Sequence, residues 1–236
     1  MFKTMKDNCL IFIIDAPVSE NIDPELKKAF GTERAAHIYV DLLNTSYKTA
    51  KKLANTSILI SYKSSSKHPD LTWLDEDDPG FLEAKIKNLN ERISSLFHWS
   101  FNAGAKKTVL LTNSSPEVKT EWIEKSFNLL NNETVTVGPT DEKPYLLGIT
   151  SNNLELLEDI NFFAGDLTDD IYEKIKKHRL KLESQPQTYT VNGEDTLRKW
   201  IESKDSVSPL FTPKNHSKNH KKREKKKHHS GNTLFK

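Results

Sequence analysis

Short apolar runs alternate with amphipathic helical stretches along most of this 236-residue chain, and that alternation limits its fold more than any other feature. Cys9 to Ile14 is an apolar run of buried-strand length. Arg34 to Leu53 carries Ala35, Ile38, Tyr39, Leu42, Leu43 and Ala50 at helical spacing. Ser57 to Tyr62 reads as a second strand, and Glu83 to Ala103 as a helix with Ile86, Leu89, Ile93, Leu96, Phe97 and Phe101 on one face. Thr108 to Thr112 is a third strand. Ser115-Pro116 has the form of a helix cap with proline at the first position, opening a helix to about Leu130. Thr134 to Val137 and Tyr145 to Ile149 follow as strands. Thr168 to Leu182 is a helix, Gln187 to Val191 a short strand, and Asp195 to Glu202 a last helix.

Strands separated by helices imply βαβ units. The expected fold is α/β, a single Rossmann-like, mostly parallel sheet with helices on both faces. Such sheets bind ligands outside the carboxyl ends of their strands. The loops to examine are therefore Asp15 to Leu26, Ser61 to Asp70, Asn113 to Pro116 and Gly138 to Tyr145.

Charge divides the chain. Net charge is +2, but Lys214 to Lys236 holds nine Lys/Arg and one Glu, so the rest carries −6. From Pro209 onward the composition is Lys-, His-, Asn- and Ser-rich, with too little apolar surface to offset ordering entropy. The expected organisation is one domain over residues 1–205 and a disordered basic tail over 206–236. Lys221, Lys222, Arg223, Lys225, Lys226 and Lys227 are candidates for nonspecific polyanion contact, and the tail histidines for a transition metal. A solvated tail without a specific partner is the simpler expectation. No apolar run reaches membrane-span length, no signal peptide is evident, and the lone Cys9 excludes an intrachain disulfide, so a cytoplasmic protein is expected.

Several residues resemble one family in order and spacing. They are Phe12-Ile13-Ile14-Asp15-Ala16-Pro17, Leu26, Gly31, Ala35-Ala36, Leu89, Glu91-Arg92, Gly104-Ala105, Ser115-Pro116 and Gly138-Pro139. Over Leu10 to Ile201 the chain resembles the small bacterial glycosyltransferases of arsenosugar biosynthesis, in the nucleotide-diphospho-sugar transferase superfamily. The resemblance implies a glycosyltransferase-A fold, a nucleotide-sugar donor and a divalent metal, Mg or Mn.

It also implies which positions should hold the donor, and most have changed. The family's first-loop lysine falls on Asp15, beside Pro17, and its Lys-Thr-Arg-Leu falls on Asp23-Pro24-Glu25-Leu26. The metal-holding aspartate falls on Ser114. The Asp-Leu-Gly-Glu-Arg segment stands as Asn88-Leu89-Asn90-Glu91-Arg92, and the segment with the last aspartate as Gly138-Pro139-Thr140-Asp141-Glu142-Lys143-Pro144-Tyr145. Asp141 and Glu91 are the candidate catalytic residues. Arg92, Ser114 and Pro17 are the candidate donor-binding positions, and no metal ligand set is expected. A diphosphate needs cations, backbone N–H groups or a metal. Between Ile13 and Glu25 the chain has four carboxylates and no Lys or Arg.

Plainer roles fit many of these residues. Asp23-Pro24-Glu25 is a helix cap with a first-turn carboxylate, and Asp141 is a turn residue. Asp75 to Asp78 reads as a solvated loop, His37 and His98 as surface or packed residues, and Trp73, Trp99, Trp122 and Trp200 as core or half-buried residues. No phosphate-cradling glycine loop, Cys-x-x-Cys pair or nucleophile elbow is present. Three functions stay open: a degenerate transferase acting by binding or assembly with no cofactor, an active transferase with an altered site, and a generic βα sheet whose basic tail carries the function.

Overall fold

In the first strand, Leu10, Phe12 and Ile14 point to one side and Cys9 and Ile11 to the other. All five are fully buried, as a strand at the centre of a two-sided sheet requires. The computed structural model describes residues 5–86, 88–161 and 168–207. The basic residues Lys221 to Lys227 lie outside the described residues.

Seven strands form one sheet: β1 (Asn8–Asp15), β2 (Thr56–Lys63), β3 (Leu82–Glu83), β4 (Lys107–Leu111), β5 (Thr134–Gly138), β6 (Leu146–Thr150) and β7 (Lys181–Ser184). Their order is β3-β2-β1-β4-β6-β5-β7. Pairing is parallel except for β6, which runs antiparallel to both β4 and β5. The helices are α1 (Pro24–Phe30), α2 (Thr32–Lys51), α3 (Leu89–Asn102), α4 (Thr120–Leu129), α5 (Leu156–Asp159), α6 (Thr168–Lys177) and α7 (Glu194–Val207).

Each sheet face has its own core. On one, Leu43, Tyr47 and Ala50 of α2 and Ile123 and Phe127 of α4 pack on Leu10, Phe12 and Ile60. On the other, Ile93, Leu96 and Phe97 of α3 and Ile171 and Ile175 of α6 pack on Cys9, Ile11, Leu110 and Val137. A third cluster lies beyond the sheet. There Tyr189, Val191, Leu197 and Trp200 close against Ile22, Leu26, Ile38 and Leu42 of the α1–α2 arm. That cluster brings the segment after β7 back over the carboxyl end of the sheet.

The expected doubly covered sheet is present, and the differences have local causes. α3 starts at Leu89 rather than Glu83, because the Asn88 side chain accepts the N–H groups of Asn90 and Glu91 and caps it there. Leu82 and Glu83 before it form a short edge strand instead. Ser115 caps only a turn, accepting from Glu117 N–H at 3.3 Å, and α4 opens later, at Thr120. α6 ends at Lys177, and the last strand is Lys181–Ser184 rather than Gln187 to Val191. Tyr189 and Val191 are buried by their side chains against α2 instead of through a ladder. Trp99 is 43% exposed, unlike the buried Trp200. Among the described residues no helix is long and apolar enough to cross a membrane.

Candidate functional site

The parallel register places the ends of β1, β2, β4 and β5 on one edge, so the loops after them meet there. Asp15 pairs with Lys63 across β1 and β2. Asp23 caps α1 by accepting Glu25 N–H at 2.7 Å, with Pro24 at the first helical position. Gly31, at φ +74°, breaks α1 from α2 and accepts from Ala35 N–H. The α1 arm thereby stands over the strand ends. A cleft of about 570 Å³ lies between that arm, the strand ends and the segment Thr190 to Asn192. This is the size of a small-molecule pocket.

Arg92 dominates the floor beside the cleft. It projects from α3 into the sheet and is only 5% exposed. Its Nε donates to Ser61 Oγ at 2.8 Å, Nη1 to Asp15 Oδ1 at 2.7 Å, and Nη2 to the carbonyls of Ser61 at 2.7 Å and Ile14 at 3.2 Å. Four donors are thus committed to β1 and β2. Asp15 is also held through its backbone: its carbonyl accepts from the Tyr39 hydroxyl at 2.9 Å, and its N–H donates to the same oxygen at 3.3 Å. Burial, then the neighbouring Asp15 carboxylate, pushes the Tyr39 phenol well above its ordinary range, so it stays a neutral donor.

The walls carry both signs. Asp15, Glu20, Asp23, Glu25 and Glu142 line the cleft together with Lys27, Lys63 and Lys143. Lys27 Nζ donates to the Ser19 carbonyl and Lys63 Nζ to Asn21 Oδ1, both at 2.9 Å. Asn21 in turn donates to the Ala16 carbonyl at 2.9 Å, so the two lysines brace the turn after β1. Between these groups the wall is apolar, with Ile13, Leu26, Leu42 and Ile93.

The other expected site residues are scattered. Ser114 lines the cleft, but its hydroxyl is 2.8 Å from that of Thr112. Asp141 is exposed and accepts from Thr190 N–H at 3.0 Å, which ties the loop after β5 to the segment after β7. Glu91 is exposed in the first turn of α3. Pro17 is half-buried after β1. Neither Glu91, Pro17 nor Asp141 lines the cleft. The sequence reading overlooked the three lysines and the wall from Thr190 to Asn192. Lys63 was within reach, since it is the last residue of β2 and lies inside a strand-end loop singled out above. The Thr190 to Asn192 wall had no signal, because it arrives through the packing of Tyr189 and Val191.

The positions that the resemblance assigns to the donor and its metal do not suit a divalent cation. Such ions want several carboxylate oxygens. Here Asp15 is engaged by Arg92, Ser114 is a hydroxyl bonded to Thr112, and Asp141 points to the Thr190 backbone. Among the described residues no three His, Cys, Asp or Glu gather in a metal-holding group.

Residues 46–163, half of the chain, match the family described as "Uncharacterized protein conserved in bacteria (DUF2064)". The chain belongs to DUF2064. In this member the matched span runs from α2 through β6 to the residues after α5, while Asp15 and the α1 arm precede it. No curated protein matches the chain. Among solved structures, it is similar to a protein described as a nucleotide-diphospho-sugar transferase from Desulfovibrio desulfuricans G20. They share 22% identity and a TM-score of 0.73, over 86% of this chain and 90% of that one. A nucleotidyl transferase from Methanothermobacter superposes with a TM-score of 0.54 at 9% identity, over 86% of this chain and all of the other. A cytidylyltransferase from Leptospira borgpetersenii superposes with a TM-score of 0.50 at 13% identity, over 88% and 98%. The fold is that of nucleotide-sugar and nucleotidyl transferases, a mostly parallel glycosyltransferase-A-like sheet.

Proposed function

We propose that this protein is a catalytically degenerate relative of the nucleotide-sugar glycosyltransferases, and that its strand-end cleft works by binding rather than by group transfer. The observation that carries this reading is the Arg92–Asp15 pair. A donor diphosphate needs uncommitted cations, free backbone N–H groups or a bound metal where the first strand ends. Here the guanidinium is buried and faces the sheet, with Asp15 as its counter-ion. Ser114 in place of an aspartate and Asp141 tied to Thr190 point the same way. Two like charges about 4 Å apart cost about 1 kcal/mol in water and more in a cleft. A pyrophosphate among Glu20, Asp23 and Glu25 meets that repulsion several times over.

Calorimetric titration of the full chain with nucleoside diphosphates and nucleotide sugars, with and without manganese, tests the proposal. No binding heat across the panel is the expected result. Manganese-dependent binding near micromolar would overturn it.

Lys27, Lys63 and Lys143 on the cleft walls favour a second reading, an active transferase with a metal-independent site. Under that reading the same titration gives manganese-independent heat, and Lys63→Met weakens it about tenfold or more.

A further inference from the structure

The strand-end cleft is apolar between its charged walls. Ile13, Leu26, Leu42, Leu89 and Ile93 line it, and Ile13 and Leu89 keep partial exposure. Its α1 side is acidic. Glu20 and Asp23 are exposed there and pair with no cation among the described residues, and Glu25 meets only Lys28, at 3.7 Å, with both side chains in solvent. The sequence beyond α7 has the opposite sign, since Lys214 to Lys236 holds nine Lys/Arg and one Glu while the rest of the chain carries −6. After Phe211 its only large apolar residues are Leu234 and Phe235, which follow the basic run Lys221 to Lys227. The described chain stops near the cleft as well. Asn192 lines the cleft, and α7 begins at Glu194 and ends at Val207, so its far end lies about 20 Å along the helix from that wall.

We propose that Leu234-Phe235 of this same chain occupies the strand-end cleft, with Lys221 to Lys227 lying against Glu20, Asp23 and Glu25. The inference deepens the binding reading given above and rests on it. The carboxylates that repel a diphosphate attract a Lys/Arg run, and the apolar lining takes the two side chains that follow. A cleft of about 570 Å³ has the capacity of a small-molecule pocket, which a Leu-Phe pair matches in size. The six residues from His228 to Thr233, at up to about 3.3 Å each, reach from the acidic arm to the lining. Length suits the return path too. About 26 residues separate Val207 from Leu234, and an unpacked chain of that length spans about 28 Å r.m.s.. A tether matched to its span holds the pair at the cleft at about millimolar effective concentration, so a contact too weak to form between separate molecules is populated within one. An external ligand binds only by displacing it, which makes this segment a built-in competitor for the cleft.

The test places a nitroxide on Thr233→Cys in the full chain and reads methyl line broadening by NMR. Cys9 is fully buried, so the label goes to the introduced cysteine. Methyl groups of Leu26, Leu42 and Ile93 should broaden well beyond those of Ile123 and Ile175, which do not line the cleft. Adding Leu234→Ser and Phe235→Ser should remove that excess. Lys225→Gln, Lys226→Gln and Lys227→Gln together should lessen it. The proposal is overturned if the cleft methyls broaden no more than Ile123 and Ile175, or if either set of substitutions leaves the excess intact. Equal broadening on an isotope-labelled chain mixed with a spin-labelled copy would mark a second molecule as the source and would also overturn it. None of these measurements uses a nucleotide. Their failure is therefore distinct from binding heat in the calorimetric titration, which bears on the degenerate-transferase reading alone.

Discussion

Arg92 Nη1 lies 2.7 Å from Asp15 Oδ1, and this pair joins α3 to β1 beneath the strand-end cleft. The two residues are 77 positions apart in the chain. Removing one partner of a buried pair typically costs about 3–5 kcal/mol, because the other charge is left without its counter-ion. Asp15 retains some solvent access, so the lower end applies when Arg92 is lost and Asp15 is the charge left behind. Arg92→Leu should therefore lower stability in urea by about 3 kcal/mol or more. A loss under about 1 kcal/mol would show that the clamp is not structural.

The same pair predicts the outcome of reverting the first loop. Asp15→Lys restores the basic residue that the transferase resemblance expects, but it sets an ammonium against a guanidinium already enclosed by Ser61 and Ile14. The variant should be less stable than the parent and should bind nucleoside diphosphates no better. Calorimetry and a thermal melt on one preparation decide it. Diphosphate binding gained without loss of stability would contradict the assignment.

Gly138 and Gly148 are sites where a methyl group has no room. A Cβ at Gly138 would clash with the hydroxyl end of the Tyr145 ring, and one at Gly148 would strike Thr136 Oγ1. Overpacking of this kind costs about 1–3 kcal/mol. Gly138→Ala and Gly148→Ala should each shift the urea midpoint accordingly. Gly31→Ala meets no neighbour, so its penalty comes from the backbone alone, at φ +74° and ψ 162°, and should be about 1–3 kcal/mol.

Cys9 lies in β1 at 0% exposure, and burial pushes its thiol up to about 12. The reactive species is the thiolate. The folded protein should therefore leave a thiol-exchange reagent at pH 8 essentially untouched, and one equivalent should react once urea unfolds it. Rapid reaction under native conditions would mean that β1 opens locally.

Asp75 and Asp159 give the acid limb of stability a defined direction. Lys51 and then Tyr47 hold the Asp75 carboxyl below its ordinary value, and Lys177 and then His178 do the same at Asp159. A depressed carboxyl contributes stability that is complete above its unfolded value, near pH 4, and is lost as pH falls through the folded one. Urea midpoints should hold from about pH 7 to pH 5 and drop below about pH 4. Asp75→Asn with Asp159→Asn should lower the midpoint at pH 7 and shrink that acid drop. An unchanged acid drop would place its origin elsewhere.

Parts of the site were readable in advance because they rest on local patterns. Asp23 and Pro24 cap α1 as their types require, and Asp15, Ser114 and Lys63 had to lie at strand ends once the strands were located. Glu91 and Arg92 show the limit. They are adjacent in α3, yet Glu91 is exposed while Arg92 enters the sheet to meet Asp15. A motif match places both on one helix and says nothing of which face meets a partner 77 residues away.

The apolar runs by themselves determined the sheet. Leu10, Phe12 and Ile14 on one side and Cys9 and Ile11 on the other can be satisfied only by a strand covered on both faces, and the helices between runs supply the covers. Only the tertiary structure decided which charges face the cleft. Hydrophobic burial acts on each segment through its own composition, so it is legible locally. The partners of charged groups come from segments that meet only after folding: Arg92 with Asp15, Lys63 with the Asn21 amide, and Asp141 with the backbone of Thr190.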